Sequence, residues 1–337
     1  MRHLITRAHA DAWVAERDGI VVGDAVVLYR RGFDAARLYS LVVDPAARGQ
    51  GIATALLDVA ERSAVDRGCV SMRLEVREDA ESARRLYRTH GYREVGREDD
   101  YYLDGGDALR MVKRLEGVPP RLAGVPYVPQ SLPFTCGPAC LMMAFRAFGG
   151  ATPPGRAEEI ELWREATTVY LAAGHGGCSA HGLAVAAARR GYQVAVHSRD
   201  DAVPFLDSVR SKEKKSVIEL AHRAFETELR RRRVPVHVRP FGIETIQAAL
   251  GRGHVPILLV SGYRLYQEKA PHWVVVTGTD GEHLYLHDPF VPEGAERADG
   301  VHLPLRRDAF EAVATYGRAR HRYLVVVGPP AASSPAR

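Results

Sequence analysis

Cysteine is scarce, with four in 337 residues, too few for a disulfide framework. No apolar run reaches the roughly 18 residues that a bilayer span requires. The first residues, Met1-Arg-His-Leu-Ile-Thr-Arg7, lack the apolar stretch of a secretory signal. Together these absences exclude a membrane protein and point to the cytoplasm, where a thiol stays reduced. Internal repeats and low-complexity tracts are missing too. Neither sign of charge dominates: 46 Lys and Arg against 41 Asp and Glu leave a net +5. The basic excess sits in Arg230–Arg233 and around Lys212–Lys215, which read as solvated helix faces, so no nucleic-acid partner is expected.

What is present is ordinary globular sequence, 46% apolar and 26% charged, long enough for two domains. Pro and Gly break the chain at Glu116-Gly-Val-Pro-Pro-Arg-Leu-Ala-Gly124. The reading is a first domain over 1–116, a linker over 117–124, a second domain over 125–328 and a disordered tail over 329–337. Before the break, strands are expected over 12–16, 20–29, 37–43, 70–76, 94–103 and 108–114, with helices over 52–67 and 80–89. The first of these helices should bury Ile52, Ala55, Leu56, Val59, Ala60 and Ser63. Residues 1–9 look like the end of a helix. After the break, helices are expected over 138–148, 160–173, 179–190 and 212–233, and strands over 256–261, 272–279, 283–288 and 322–327.

The third strand runs into Asp44-Pro-Ala-Ala-Arg48-Gly49-Gln50-Gly51-Ile52-Ala53 and then a helix. Glycines let backbone approach a ligand closely, and a helix start offers unpaired N–H groups at the positive end of its dipole. That combination suits a pyrophosphate. Arg48-x-x-Gly51-x-Ala53 resembles the acetyl-CoA signature of the GNAT N-acetyltransferases, and Leu74–Arg77 and Ala83–Tyr92 are similar to that family's next strand, helix and turn. The resemblance covers roughly residues 10–115. It implies a mixed sheet with helices and acetyl-CoA as acyl donor, held by Val42, Val43, Arg48, Gly49, Gln50, Gly51, Ile52 and Ala53. It also implies Tyr87 as general acid toward the departing thiolate, and an amine acceptor that the residues do not name. The family opens with a strand and helices absent here, so the domain is expected to be short of its first strand and helix. Glu75 is read as structural rather than as a base.

The second domain opens on Val125-Pro-Tyr-Val-Pro-Gln130-Ser-Leu-Pro-Phe-Thr-Cys136-Gly-Pro-Ala-Cys140. Pro138 favours a helix start beside Cys136, where the dipole should lower the thiol pKa. Gln130 supplies an amide, and the Cys136 N–H a second donor, for an oxyanion. A base and its orienting group should be distant in sequence. His272 begins one strand and Asp288 ends the next, with Thr279-Asp280-Gly281-Glu282 between them. A three-residue loop of Thr279, Asp280 and Gly281 would pair His272 with Asp288 on one sheet face, with Gly281 at positive φ as the bulge residue. A two-residue Asp280-Gly281 loop would put Asp288 on the other face.

Gln130, Thr135-Cys136-Gly137-Pro138-Ala139, His272-Trp-Val-Val and Asp288-Pro289 resemble the papain-like peptidases of the bacteriocin-processing, double-glycine type, over residues 125–327. That implies a helical half plus an antiparallel sheet, making the chain α/β followed by α+β. Cys136 is then nucleophile, His272 base and acid, Asp288 the orienting residue and Gln130 the oxyanion donor. The partner would be a peptide or protein, glycine-rich by the resemblance. The stretch 160–233 has no counterpart in the minimal domain. The Gly174–Gly182 segment, with His175, Cys178 and His181, matches no common zinc spacing, and no metal is expected. The leading reading is a bifunctional acyltransferase and cysteine peptidase. Its alternatives are an acyl-CoA-sensing peptide binder without turnover, and a Cys-dependent transferase.

Overall fold

The structure, a computed structural model, describes residues 9–117, 120–150, 155–167, 176–206, 209–268, 270–291, 297–317 and 319–330. The helical reading of residues 1–8, residues 168–175 with Tyr170 and His175, and the tail beyond Pro330 lie outside them. The chain divides into two compact units, Met1–Pro119 and Pro120–Arg337.

The first unit is one six-stranded sheet in the order β1-β2-β3-β4-β6-β5. Its strands are β1 (Ala10–Arg17), β2 (Ile20–Tyr29), β3 (Ala35–Val43), β4 (Ser71–Arg77), β5 (Arg93–Glu98) and β6 (Ala108–Arg114). The β1–β2 turn has Asp18 at φ 51° and Gly19 at φ 78°, both left-handed, as a twisted two-residue hairpin needs. Helix α1 (Ile52–Asp66) buries Leu56, Leu57, Ala60 and Ala64. The apolar face is therefore rotated from the expected one: Leu57 and Ala64 point inward, and Ala55 is exposed. β4 alternates, with Met72, Leu74 and Val76 inside. β5 stops at Glu98 rather than 103, because Asp100 takes φ 53° and opens a turn. Helix α2 (Glu81–Thr89) follows β4.

β3 and β4 are parallel but pair only over Ala35–Arg37 and Ser71–Arg73. Beyond that the two strands part, and β3 continues to Val43 with Val42 about half exposed, at 53%. The parting leads directly to the turn before α1.

The second unit packs helices on an eight-stranded sheet ordered β13-β12-β11-β10-β14-β8-β9, with β7 (Arg121–Leu122) pairing β11. Part of the stretch read as a linker thus joins the sheet, at Thr279 and Gly278 of β11. β10 (Val255–Ser261) and β11 (Pro271–Thr279) are buried almost throughout, as central strands covered on both faces are. Helices α3 (Cys136–Ala147) and α5 (Ala180–Arg189) share a core with Ile257, Leu259, Trp273, Val275 and Val325. Helix α4 (Arg156–Ala166) ends at Ala166, short of the expected 173, because Thr167 turns extended and bridges Cys178. Helix α6 (Lys212–Arg231) is amphipathic as read, burying Ile218, His222 and Leu229. β8 (Tyr192–Ser198), β9 (Val236–Val238), α7 (Ile243–Gly251) and β13 (Leu303–Arg306) were not anticipated. β12 (His283–His287) and β14 (Tyr323–Pro330) complete the sheet, with β14 running two residues into the segment read as tail. The short helices α8 (Gly262–Tyr266) and α9 (Phe310–Val313) flank β10 and β14.

The crossing of α4 and α5 depends on Gly182, where an added Cβ would sit 2.2 Å from the Ala166 carbonyl oxygen. Overpacking against rigid backbone costs about 1–3 kcal/mol. Gly182→Ala should therefore lower the urea midpoint of the second unit. Gly251→Ala, with nothing within 4 Å of its Cβ position, should leave that midpoint unchanged or higher.

Candidate active site

Cys136 is the first residue of α3, two residues before the expected start, and is 7% exposed. Backbone groups of Trp273, Gly137 and Cys136 itself favour its ionised form, Trp273 being next to His272. The expected lowering of its pKa is not found. Burial pushes the thiol up to about 11, those backbone groups pull it back only in part, and the Asp288 charge pushes it further up. Desolvation outweighs a helix terminus when the sulfur is this deep. Cys140 and Cys178 are buried as well, and both thiols are raised well above their ordinary range for the same reason.

His272 and Asp288 meet: His272 Nε2 lies 2.7 Å from Asp288 Oδ1, with the carboxylate fully buried. The register that brings them together differs from the one expected. β11 and β12 pair Thr279 with Leu284 and Gly278 with Tyr285, then Val276 with Leu286 and Val275 with His287. The extra residue is Thr277, a bulge inside β11, and the tight turn closes on Asp280 and His283. Gly281 does take positive φ, 97°, but in that turn rather than as the bulge residue. Continued past the bulge, the register sets Asp288 opposite Val274 and diagonal to His272, on one face. Without the bulge Asp288 would share the face of Trp273 and Val275.

The carboxylate also accepts from the Phe290 N–H at 2.9 Å. The Asp288 N–H donates to the Gly300 carbonyl at 2.8 Å, and its carbonyl accepts from the Tyr127 hydroxyl at 2.9 Å. Tyr266 and Phe290 stand edge-on to the His272 ring, 5.7 and 6.3 Å between centroids. His287 turns elsewhere, to the Val125 carbonyl at 2.9 Å.

Gln130 is drawn to the site through its backbone, whose N–H donates to the Pro289 carbonyl at 2.9 Å. Its side-chain amide donates one hydrogen to the Leu132 carbonyl at 2.9 Å and retains a second. Sequence reasoning missed Glu159 of α4, a buried carboxylate that accepts from the Ser131 N–H at 2.8 Å and from the hydroxyls of Ser131 and Thr135. It holds the loop between Gln130 and Cys136. Nothing in Ala157-Glu-Glu-Ile-Glu161 distinguishes it from its acidic neighbours except the inward face of the helix.

In the first unit, Gly49 and Gly51 take φ 76° and 79°, and no atom lies within 4 Å of a Cβ built at either. The turn is therefore open where α1 presents its first N–H groups. Arg48 folds back, its Nε 3.4 Å from the Val43 carbonyl, and Arg17 hydrogen-bonds the Gln50 side chain. Glu75 is ion-paired with Arg37 at 2.8 Å, both buried, which fits a structural role. Tyr87 is buried edge-on to Tyr92, ring centroids 5.7 Å apart, and burial pushes its hydroxyl up to about 12. Among the described residues no cluster of three or more potential metal ligands occurs, and no helix is long and apolar enough to cross a membrane.

The thiol environment sets an alkylation pattern. With the folded-state pKa near 11, the Cys136 thiolate fraction is small at neutral pH and grows as pH rises toward that value. Iodoacetamide labelling of the native chain, mapped by mass spectrometry, should be slow at Cys136 at pH 7, climb between about pH 8 and 10, and stay lower still at Cys140 and Cys178.

Residues 125–328, more than half of the chain, match the Peptidase C39-like family, and residues 1–92 match the acetyltransferase (GNAT) family. An uncharacterized N-acetyltransferase of Methanocaldococcus jannaschii is 40% identical over 103 residues, 30% of this chain and 65% of the relative. The chain thus spans just under two thirds of that protein's length. The crystal structure of the ribosomal-protein-S18-alanine N-acetyltransferase of Escherichia coli matches at 26% identity and a TM-score of 0.31, covering 34% of this chain and 74% of that one. Ard1 of Thermoplasma volcanium matches at 30% identity and a TM-score of 0.30, covering 31% and 70%. The chain belongs to the Peptidase C39-like family and carries a GNAT acetyltransferase domain ahead of its peptidase-like domain.

Proposed function

We propose that the second unit is a cysteine peptidase or amidase, and that the first transfers an acetyl group to an amine. The observation that carries the peptidase reading is the buried His272–Asp288 pair beside a thiol at the start of α3. Because the resting thiol is neutral, proton transfer accompanies attack rather than preceding it. The His272 imidazole takes the Cys136 proton as the sulfur adds to the peptide carbonyl. The Asp288 carboxylate fixes the tautomer and stabilises the imidazolium. The second Gln130 amide hydrogen and the Cys136 N–H are the donors for the oxyanion. His272 then hands its proton to the departing amine, leaving a thioester that water, activated by the same imidazole, hydrolyses. The peptide is the substrate, and a glycine-rich tail would suit a closed site.

In the first unit, acetyl-CoA supplies the activated acyl group. The open turn fits its pyrophosphate: Gly49, Gln50, Gly51, Ile52 and Ala53 present backbone N–H groups, and Arg48 adds charge. The free edge of β3 at Val42 and Val43 would take the extended arm in the manner of an added strand. Tyr87, protonated at neutral pH, would return a proton to the leaving thiolate.

Thiol burial favours a second reading, peptide binding without turnover, and one experiment separates the two. Incubated with a peptide library and followed by mass spectrometry, the full chain should release products. Cys136→Ala and His272→Ala should abolish release, and Asp288→Asn should slow it by about 10²–10⁴-fold. Binding without products supports the second reading, and products undiminished in Cys136→Ala would falsify the first. Separately, Gly51→Val forces a branched side chain to positive φ and should weaken CoA binding by about tenfold or more in calorimetry, with peptide release unchanged.

A further inference from the structure

The second unit has a large cavity away from the candidate nucleophile. It holds about 1030 Å³ and lies among β8, β9, α7 and the end of β14. β10 fixes its place: Val255 pairs with Val327 at one end, beside the cavity, and Val260 pairs with His272 at the other. Five residues of strand put the two about 17 Å apart along β10.

The cavity is basic. Arg232, Arg233, Arg239 and Arg252 line it, with His197, His237 and His254, and its one acidic lining residue is Glu244. Glu244 is engaged by Arg307 at 3.1 Å, and Arg232 by Glu228 at 2.6 Å. Among the described residues no carboxylate pairs with Arg233, Arg239 or Arg252. That contrasts with Arg77, Arg97, Arg190 and Arg322, each of which has one. Three guanidinium groups with no carboxylate partner among the described residues thus line one concavity. His197 and His237 stack at 4.7 Å with 26° between rings. Burial pushes His197 down to about 4, with His237, Arg239 and Arg252 pushing the same way, so this imidazole is neutral at pH 7 and the arginines carry the charge of the cavity. Tyr192, Val194 and Val234 supply an apolar patch beside these charges.

We propose that this cavity binds a polyphosphorylated small molecule. Guanidinium forks match phosphate oxygens two at a time, and the volume lies at the upper end of small-molecule sites. The phosphates sit between Arg233, Arg239 and Arg252, and the apolar patch takes the remainder of the ligand. The site does not depend on the peptidase reading.

The test is calorimetry on the full chain with the CoA turn saturated by CoA, titrating inorganic tripolyphosphate, ATP and an acidic Asp/Glu peptide. Tripolyphosphate and ATP should bind, and the double variant Arg239→Ala/Arg252→Ala should weaken both by about tenfold or more, given charge-assisted contacts. Both arginines are exposed, so the variant should keep the native melting profile. If ATP binds more tightly than tripolyphosphate, the apolar patch reads a nucleoside; equal binding means that the phosphates alone are read. No binding to the unmodified chain, binding retained by the double variant, or displacement by the acidic peptide at lower concentration than tripolyphosphate would each overturn the proposal.

Discussion

A fully buried carboxylate organises the peptidase-like unit. Burying a charge is costly unless hydrogen bonds replace the lost water. Asp288 Oδ1 is answered by both the His272 imidazole and the Phe290 N–H. Its own peptide group then reaches further, to the Gly300 carbonyl and the Tyr127 hydroxyl, and the next carbonyl holds Gln130. Segments far apart in sequence, near 127–130, 272, 288–290 and 300, are therefore tied to one point. Loss of the carboxylate would loosen His272, the loop at Gln130 and the wall around them together.

Cys136 is placed by a different balance of forces. The α3 terminus and the Trp273 N–H favour a thiolate, but depth disfavours it more. The outcome is a neutral thiol beside an oriented imidazole. On the proposed peptidase reading such a site is chemically quiet at rest, and a substrate carbonyl would complete it. Glu159 contributes from behind, by fastening Ser131 and Thr135 so that the stretch between Gln130 and Cys136 keeps its shape.

Much of this was legible in the sequence. The strand-turn-helix of the first unit followed from residue type and spacing, and Gln130, Cys136, His272 and Asp288 were singled out by residue type together with the family resemblance, while the count that paired His272 with Asp288 missed the bulge that brings them together. The α1 face was misjudged by one position, since Ala and Ser do not mark an apolar stripe sharply. β9 escaped notice because a three-residue edge strand carries little periodic signal, whereas β8, an interior strand, alternates over Tyr192–Ser198 and was legible but unread. The fall in thiol acidity was invisible, because burial depth is a property of tertiary packing. Glu159 was invisible for the same reason, as its partners are set by how α4 lies against the preceding loop.

The bulge at Thr277 has an evolutionary corollary. Because side chains alternate across a strand, every residue in the paired stretches between His272 and Asp288 counts toward which face Asp288 occupies. Odd-length insertions or deletions within those stretches, unlike ones absorbed by the turn, would carry the carboxylate to the far side of the sheet unless a bulge were gained or lost with them. Relatives that keep the pair should therefore differ here by even numbers of residues, or by an odd number with Thr277's irregularity erased. The length of those stretches thus becomes a parity check on whether a distant homologue has retained its base and orienting carboxylate.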